Sequence, residues 1–124
     1  MNIFALALPI FLLFFQPAKS PSYEVVPIAF MQHEVVEPKG QQQFWSVVQN
    51  CSNTIIKYKY TVTLLREGKP IGILALKNLT VPVGEAVTSM TEFEAESMAG
   101  NYTCVVTVTA QGKSAVNSAD FIVQ

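Results

Sequence analysis

Residues 99–110 read AGNYTCVVTVTA, and the alternation that follows Cys104 fits one kind of secondary structure. Valine and threonine branch at Cβ and pack well on a pleated surface, and a strict period of two gives a strand with one buried and one wet face. Tyr102, Cys104, Val106, Val108 and Ala110 share one side; Thr103, Val105, Thr107 and Thr109 share the other. The apolar side of such a strand has to be covered by other elements of the chain.

The rest of the chain reads the same way. Residues 24–31 (EVVPIAFM) are apolar but interrupted by Pro27, which cannot donate to a ladder and so marks an edge strand or one that breaks. Residues 33–43 are polar, with Pro38, Lys39 and Gly40 as turn material. Residues 44–51 (FWSVVQNC) form the next strand. With Cys51 facing inward, parity turns Trp45, Val47 and Gln49 inward as well. A buried amide at Gln49 costs about 1–3 kcal/mol unless bonded, so a bulge or a wet strand end is expected there. Residues 56–65 (IKYKYTVTLL) set Ile56, Tyr58, Tyr60, Val62 and Leu64 in the core against Lys57, Lys59, Thr61 and Thr63 in water. A turn at 67–70 leads to strands over 71–76, 78–83 and 86–93, a corner at 97–100, a hairpin turn at 111–113 and a closing strand over 115–123. That makes seven or eight short antiparallel strands and no helix.

Residues 3–15 (IFALALPIFLLFF) are apolar over a length too short to span a bilayer comfortably. Small residues follow at Ala18, Ser20 and Ser22, so residues 1–22 read as a secretory signal peptide cut after Ser20 or Ser22, leaving one domain over 23–124 with no transmembrane segment. A secreted or extracellular location follows. Eight basic and nine acidic side chains are scattered along the chain, which argues against nucleic acid as a partner. Asn78 and Asn101 stand in N-x-S/T sequons, as does Asn50, whose central Cys51 makes it the weakest acceptor of the three.

The run Gly100-x-Tyr102-x-Cys104, followed by an alternating strand and preceded by Cys51 about 53 positions earlier, resembles the immunoglobulin superfamily. The pattern is similar to C2-type or I-type domains of Fc-receptor-like and platelet-endothelial-adhesion-type receptors. The resemblance implies an all-β two-sheet sandwich, an inter-sheet disulfide between Cys51 and Cys104, and a tyrosine corner in which the Tyr102 hydroxyl bonds back to the preceding connection. Such a bridge closes a loop of about 54 residues and is worth roughly 4 kcal/mol. The chain departs from the family in three places. No tryptophan follows Cys51 in the third strand, Met98 stands where an acidic residue is usual, and Gln49 stands where an apolar one is.

Nothing in the residues announces catalysis, a metal or a cofactor. His33 is the sole histidine, in a polar connection, with no HExxH, CxxC or GxSxG about it. Glu92, Glu94 and Glu96 share one strand face as solvated charges, without further oxygens to hold calcium. One surface stands out as a candidate binding face: Lys57, Lys59, Thr61 and Thr63 together with Thr103, Val105, Thr107 and Thr109, which share the outside of one sheet if the resemblance holds. The function implied is non-catalytic recognition of a protein ligand or receptor in immune or adhesive contact, homophilic association included. A secreted inhibitor or carrier using its loops is the alternative.

Overall fold

The computed structural model describes residues 27–124, so the signal peptide expected over 1–22 lies outside the described residues. Eight strands follow one another, with no helix among the described residues: β1 (Ile28–Met31), β2 (Val35–Val36), β3 (Gln41–Gln49), β4 (Ile56–Arg66), β5 (Lys69–Val81), β6 (Ala86–Glu94), β7 (Gly100–Ala110) and β8 (Lys113–Val123). They form a three-stranded sheet in the order β1-β3-β6 and a five-stranded sheet in the order β2-β8-β7-β4-β5. All pairs are antiparallel except β2 with β8, which run parallel, so the expectation of a wholly antiparallel fold is corrected there. The residues expected to form two strands over 71–76 and 78–83 make one continuous strand, β5. It tolerates its irregular sequence because the ladder shifts register between Val62 and Thr63, letting Leu74 slip past its partner.

Two hairpins are built alike. Arg66 pairs with Lys69 and Ala110 with Lys113, leaving the two-residue turns Glu67-Gly68 and Gln111-Gly112, in which all four residues have positive φ. That is the turn whose twist matches the flanking strands, and glycine in second place is what permits it.

The core lies between the sheets. Phe44 and Val48 of β3 meet Tyr58, Tyr60, Val62 and Leu64 of β4 and Cys104, Val106 and Val108 of β7, all buried. At one end Tyr102 stacks on Phe121 at 5.5 Å between ring centroids, and Phe93 of the other sheet meets Phe121 edge-on at 5.8 Å. The Tyr102 hydroxyl donates to the Met98 carbonyl at 2.6 Å, pinning the bend that leads into β7.

The inward parity of β3 is the reverse of the one expected. Gln42, Phe44, Ser46 and Val48 point in, while Trp45, Val47 and Gln49 point out. A slip of one residue exchanges the two faces of a strand, and here the cysteine misleads, because Cys51 lies beyond the strand end and is exposed. The polar residues this puts inside are bonded. Gln42 donates to the His33 carbonyl at 2.9 Å and accepts from the His33 and Gln43 amides at 3.1 Å each, and Ser46 bonds the Tyr60 hydroxyl.

The same shift removes the disulfide. Cys104 sits mid-strand opposite Leu64, whereas Cys51 follows Asn50, whose side chain reaches the carbonyl of Val81 at the Ile56 end of β4. Eight positions of strand separate Ile56 from Leu64, roughly 26 Å at about 3.3 Å per residue. The two cysteines are therefore far apart and unbonded, and the core does without the bridge.

Candidate functional site

The five-stranded sheet brings the expected face together. Val116, Thr107, Thr61 and Leu76 lie side by side across β8, β7, β4 and β5, and Ser118, Val105, Thr63 and Ile73 form the adjacent rung. Toward one end follow Ser114, Thr109, Lys59 and Asn78, then Lys57 beside Thr80; toward the other, Asp120 accepts a hydrogen bond from Thr103 at 2.7 Å. The threonines and Val105 are half-buried by their neighbours, and the two lysines stand in water. The eight residues singled out in the sequence thus occupy the middle of this surface. Its apolar content comes from residues not singled out, Val116, Leu76 and Ile73, each 58–64% exposed.

The three-stranded sheet carries a second surface that sequence reasoning missed. Ile28, Val47 and Thr88 form one rung and Phe30, Trp45 and Met90 the next. The rings of Phe30 and Trp45 are parallel, with centroids 6.1 Å apart, and the Trp45 indole N–H donates to Gln43 Oε1 at 3.2 Å. Ile28, Phe30 and Met90 are 41–56% exposed. Beyond them Glu92 and Glu94 stand opposite Gln43 and Gln41, so the patch has one acidic end. The signal for it was available as Ile28 and Phe30 at alternate positions of β1 and Trp45 and Val47 at alternate positions of β3, which a solvated face does not need.

Charge divides between the sheets. The strands β1, β3 and β6 hold no lysine, arginine or histidine and two glutamates, whereas β4, β5 and β8 hold Lys57, Lys59, Arg66, Lys69, Lys77 and Lys113 against Asp120 alone. Lys77 reaches over the Tyr60 ring, its Nζ 5.1 Å from the centroid.

The remaining candidate residues are scattered. His33 is exposed, and among the described residues no group of three His, Cys, Asp or Glu side chains could hold a metal ion. Burial pushes the Cys104 thiol up to about 12, so it stays protonated at neutral pH. Burial likewise raises Tyr60, against the opposing pull of its bonds to Ser46 and Ser89. Tyr58 is raised by burial first and by the nearby Cys51 second, and its hydroxyl has no hydrogen-bond partner. Asn78 and Asn101 are exposed. Asn50, the third sequon asparagine, is instead fully buried, donating to the carbonyls of Thr54 at 2.8 Å and Val81 at 2.9 Å. Beside the Tyr102 hydroxyl bond, Arg66 directs a guanidinium N–H at the Met98 sulfur.

No protein-family model matches the chain, and no curated protein does. Among solved structures the fold is similar to the CARDB domain of the PF1109 protein from Pyrococcus furiosus, described in complex with di-metal ions. The TM-score is 0.58 and the identity 16%, over 86% of this chain and 93% of that one. It is also similar to the sporulation control protein Spo0M from Bacillus subtilis (TM-score 0.60, 9% identity, 81% of this chain and 49% of that one). A third likeness is to the alkylpurine DNA glycosylase AlkC from Pseudomonas fluorescens (TM-score 0.59, 16% identity, 84% of this chain and 31% of that one). The chain spans about half the length of Spo0M and about a third of that of AlkC. At such identities the likeness is one of fold.

Proposed function

We propose that this chain is an extracellular immunoglobulin-like recognition module that binds another protein through an outer sheet face and catalyses nothing. The observation that carries the reading is the exposed, in-register apolar cluster of Phe30, Trp45 and Met90 on the three-stranded sheet, opposed on the other side by a threonine face about Thr107 flanked by exposed Val116, Leu76 and Ile73. Contiguous apolar surface of this kind marks interaction sites, whereas single exposed apolar residues are ordinary. Strand order and the Tyr102 hydroxyl on the Met98 carbonyl support the immunoglobulin-like type. The apolar run over 3–15 supports export, and among the described residues no helix is long and apolar enough to cross a membrane. Against loop-based inhibition, both tight hairpins are two-residue turns and present no loop to insert.

The test is to express the full chain in a eukaryotic host, sequence the N-terminus of any protein in the medium, and measure binding of the tagged protein to a panel of cell surfaces. A start at Pro21 or Tyr23 is expected. Thr107→Arg or Trp45→Arg is expected to lower binding by about tenfold or more, since an arginine replaces a contact at the centre of a face. Binding that survives both variants overturns the reading.

A further inference from the structure

We propose that Met98 is a site of reversible oxidation whose sulfoxide oxygen is received by the guanidinium of Arg66, independently of the recognition reading above. Arg66 is the one arginine in the chain, and it directs a guanidinium N–H at the Met98 sulfur, 2.7 Å away. A guanidinium is a rigid fork of five charged donors, whereas a thioether sulfur is a weak acceptor. Among the described residues no carboxylate takes its place as the partner of Arg66. The strongest cationic donor of the chain thus faces an acceptor too weak to satisfy it. Oxidation removes the mismatch, because the oxygen of a sulfoxide carries partial negative charge and accepts a charge-assisted hydrogen bond.

The backbone holds both partners in place. Arg66 ends β4, opposite Lys69 on one side and Tyr102 on the other, and the Met98 carbonyl accepts from the Tyr102 hydroxyl at 2.6 Å. Beside them the Glu67 amide donates to the Asn101 carbonyl and the Asn101 amide to Glu67 Oε2, each at 2.9 Å. A bond from Arg66 to the sulfoxide adds one more tie across this seam between the β4–β5 turn and the corner before β7. Met98 is 56% exposed, so an oxidant reaches its sulfur and the polar product stays in water. The other two described methionines differ. Met31 packs against the core, and Met90 lies in a sheet whose strands hold no lysine, arginine or histidine.

With hydrogen peroxide as oxidant, a sulfur lone pair attacks one peroxide oxygen and the O–O bond breaks. Proton transfer to the departing hydroxide leaves S=O and water, the sulfur losing two electrons and the peroxide gaining them. Rotation about the Cγ–Sδ bond then turns the new oxygen toward the guanidinium. A methionine sulfoxide reductase reverses the step, two thiols becoming a disulfide as the oxygen leaves in water.

The experiment uses the full chain from a eukaryotic host with Met31→Leu and Met90→Leu, volume-conserving changes that leave Met98 the one methionine after Met1, with and without Arg66→Ala. Each protein is treated with dilute hydrogen peroxide, Met98 oxidation is read by peptide mapping, and amide exchange at Glu67 and Asn101 is compared before and after. With Arg66 in place, oxidation is expected to slow both amides by about threefold or more, as a gained charge-assisted bond would. In Arg66→Ala it is expected to leave them unslowed, and a sulfoxide reductase with a dithiol is expected to return the Arg66 protein to its starting rates. A Met98 that resists peroxide under conditions that oxidise free methionine overturns the proposal. So does exchange that fails to slow with Arg66 present, or that slows equally without it. A second measurement needs no oxidant and keeps Met31 and Met90. Met98→Gln, whose amide oxygen stands in for the sulfoxide oxygen, is expected to exchange more slowly at Glu67 and Asn101 than Met98→Leu, and Arg66→Ala is expected to erase that difference. Equal exchange in the glutamine and leucine variants overturns the proposal as well.

Discussion

The two sheets solve the same packing problem with opposite grammar. In the five-stranded sheet, β4 and β7 set apolar residues inside and threonine or lysine outside, so the sequence alternation is the burial pattern. In the three-stranded sheet, β3 sets Gln42 and Ser46 inside among Phe44 and Val48 and keeps Trp45 and Val47 outside. Buried polar groups are tolerated when bonded, and these are: Gln42 staples the β1–β2 connection to β3, and Ser46 meets the Tyr60 hydroxyl across the core. The difference teaches that hydrophobicity alone does not say which face of a strand is the inside. An outer face can be apolar too, and the polar residues within reveal themselves by their hydrogen bonds.

The largest effect that could break this comparison falls on two neighbouring aromatics. Phe44 is fully buried and Trp45 points outward. Phe44→Ala is expected to cost about 3–5 kcal/mol by loss of burial and the cavity left behind. Trp45→Ala is expected to cost about 1 kcal/mol or less, removing only a partly exposed stack on Phe30. Urea denaturation midpoints of the two variants check this. A Trp45→Ala variant less stable than Phe44→Ala would restore the parity first expected for β3 and undo the account of both faces.

The second effect concerns the buried thiol. With the folded pKa of Cys104 raised from 9.0 to about 12, the unfolded chain loses its proton first as pH rises. The folded state then holds the extra proton, and stability falls as pH climbs from about 9 to about 12. The loss is on the order of 4 kcal/mol, about 1.4 kcal/mol for each pH step between those two values. Tyr58 and Tyr60, also raised, add to the same alkaline loss. Cys104→Val is expected to flatten the lower part of that decline in denaturation curves taken from pH 7 to pH 11. Cys51, exposed, is expected to react with an aromatic disulfide reagent in the native protein while Cys104 reacts only after unfolding, one thiol then two. Two unreactive cysteines in the unfolded, unreduced protein would reinstate the bridge.

What the sequence shows and hides divides along the same line as the sheets. β4 and β7 were legible because their outer faces are polar, and Tyr102 because a tyrosine at that spacing has a fixed place to send its hydroxyl. β3 was not, because apolar residues occupy both of its faces and Cys51, the residue used to choose between them, lies past the strand end. The two-residue strand β2 hides for a different reason: Val35 and Val36 alone carry no period, and their pairing with Ile122 and Val123 comes from far along the chain. Asn50 hides behind its sequon, since the same three letters describe a glycan acceptor and a buried asparagine. The candidate face on β4 and β7 was legible for its threonines and lysines, whereas its exposed Leu76 and Ile73 depend on the register shift in β5.

Asn50 joins the sheets and gives the next smaller effect. It donates to the Val81 carbonyl at the end of the five-stranded sheet, while its own backbone amide bonds the Glu85 carbonyl just before β6. Asn50→Ala leaves the buried Val81 carbonyl without that donor, and the expected loss is about 1–3 kcal/mol in denaturant unfolding. Asn78→Ala, at an exposed position on β5, is expected to change stability by about 0.5 kcal/mol or less. Peptide mapping of protein from a glycosylating host is expected to find Asn50 unmodified. A glycan on Asn50 would require its side chain to leave the core.

The smallest effect isolates one hydrogen bond. Tyr102→Phe keeps the ring that stacks on Phe121 and removes only the hydroxyl bonded to the Met98 carbonyl. Met98 is itself 56% exposed, so its carbonyl can turn to water once the hydroxyl is gone, and the expected cost is about 1 kcal/mol, the net worth of a typical internal hydrogen bond. Because this bond fixes the bend before β7 and not the interior of the sheet, the loss is expected to show as faster amide exchange at residues 98–101 than in wild type. Exchange along Val105, Thr107 and Thr109 is expected to stay as it was. Loosening that spread into the middle of β7 would mean that the corner, and not the packed sheet, holds the five-stranded face flat.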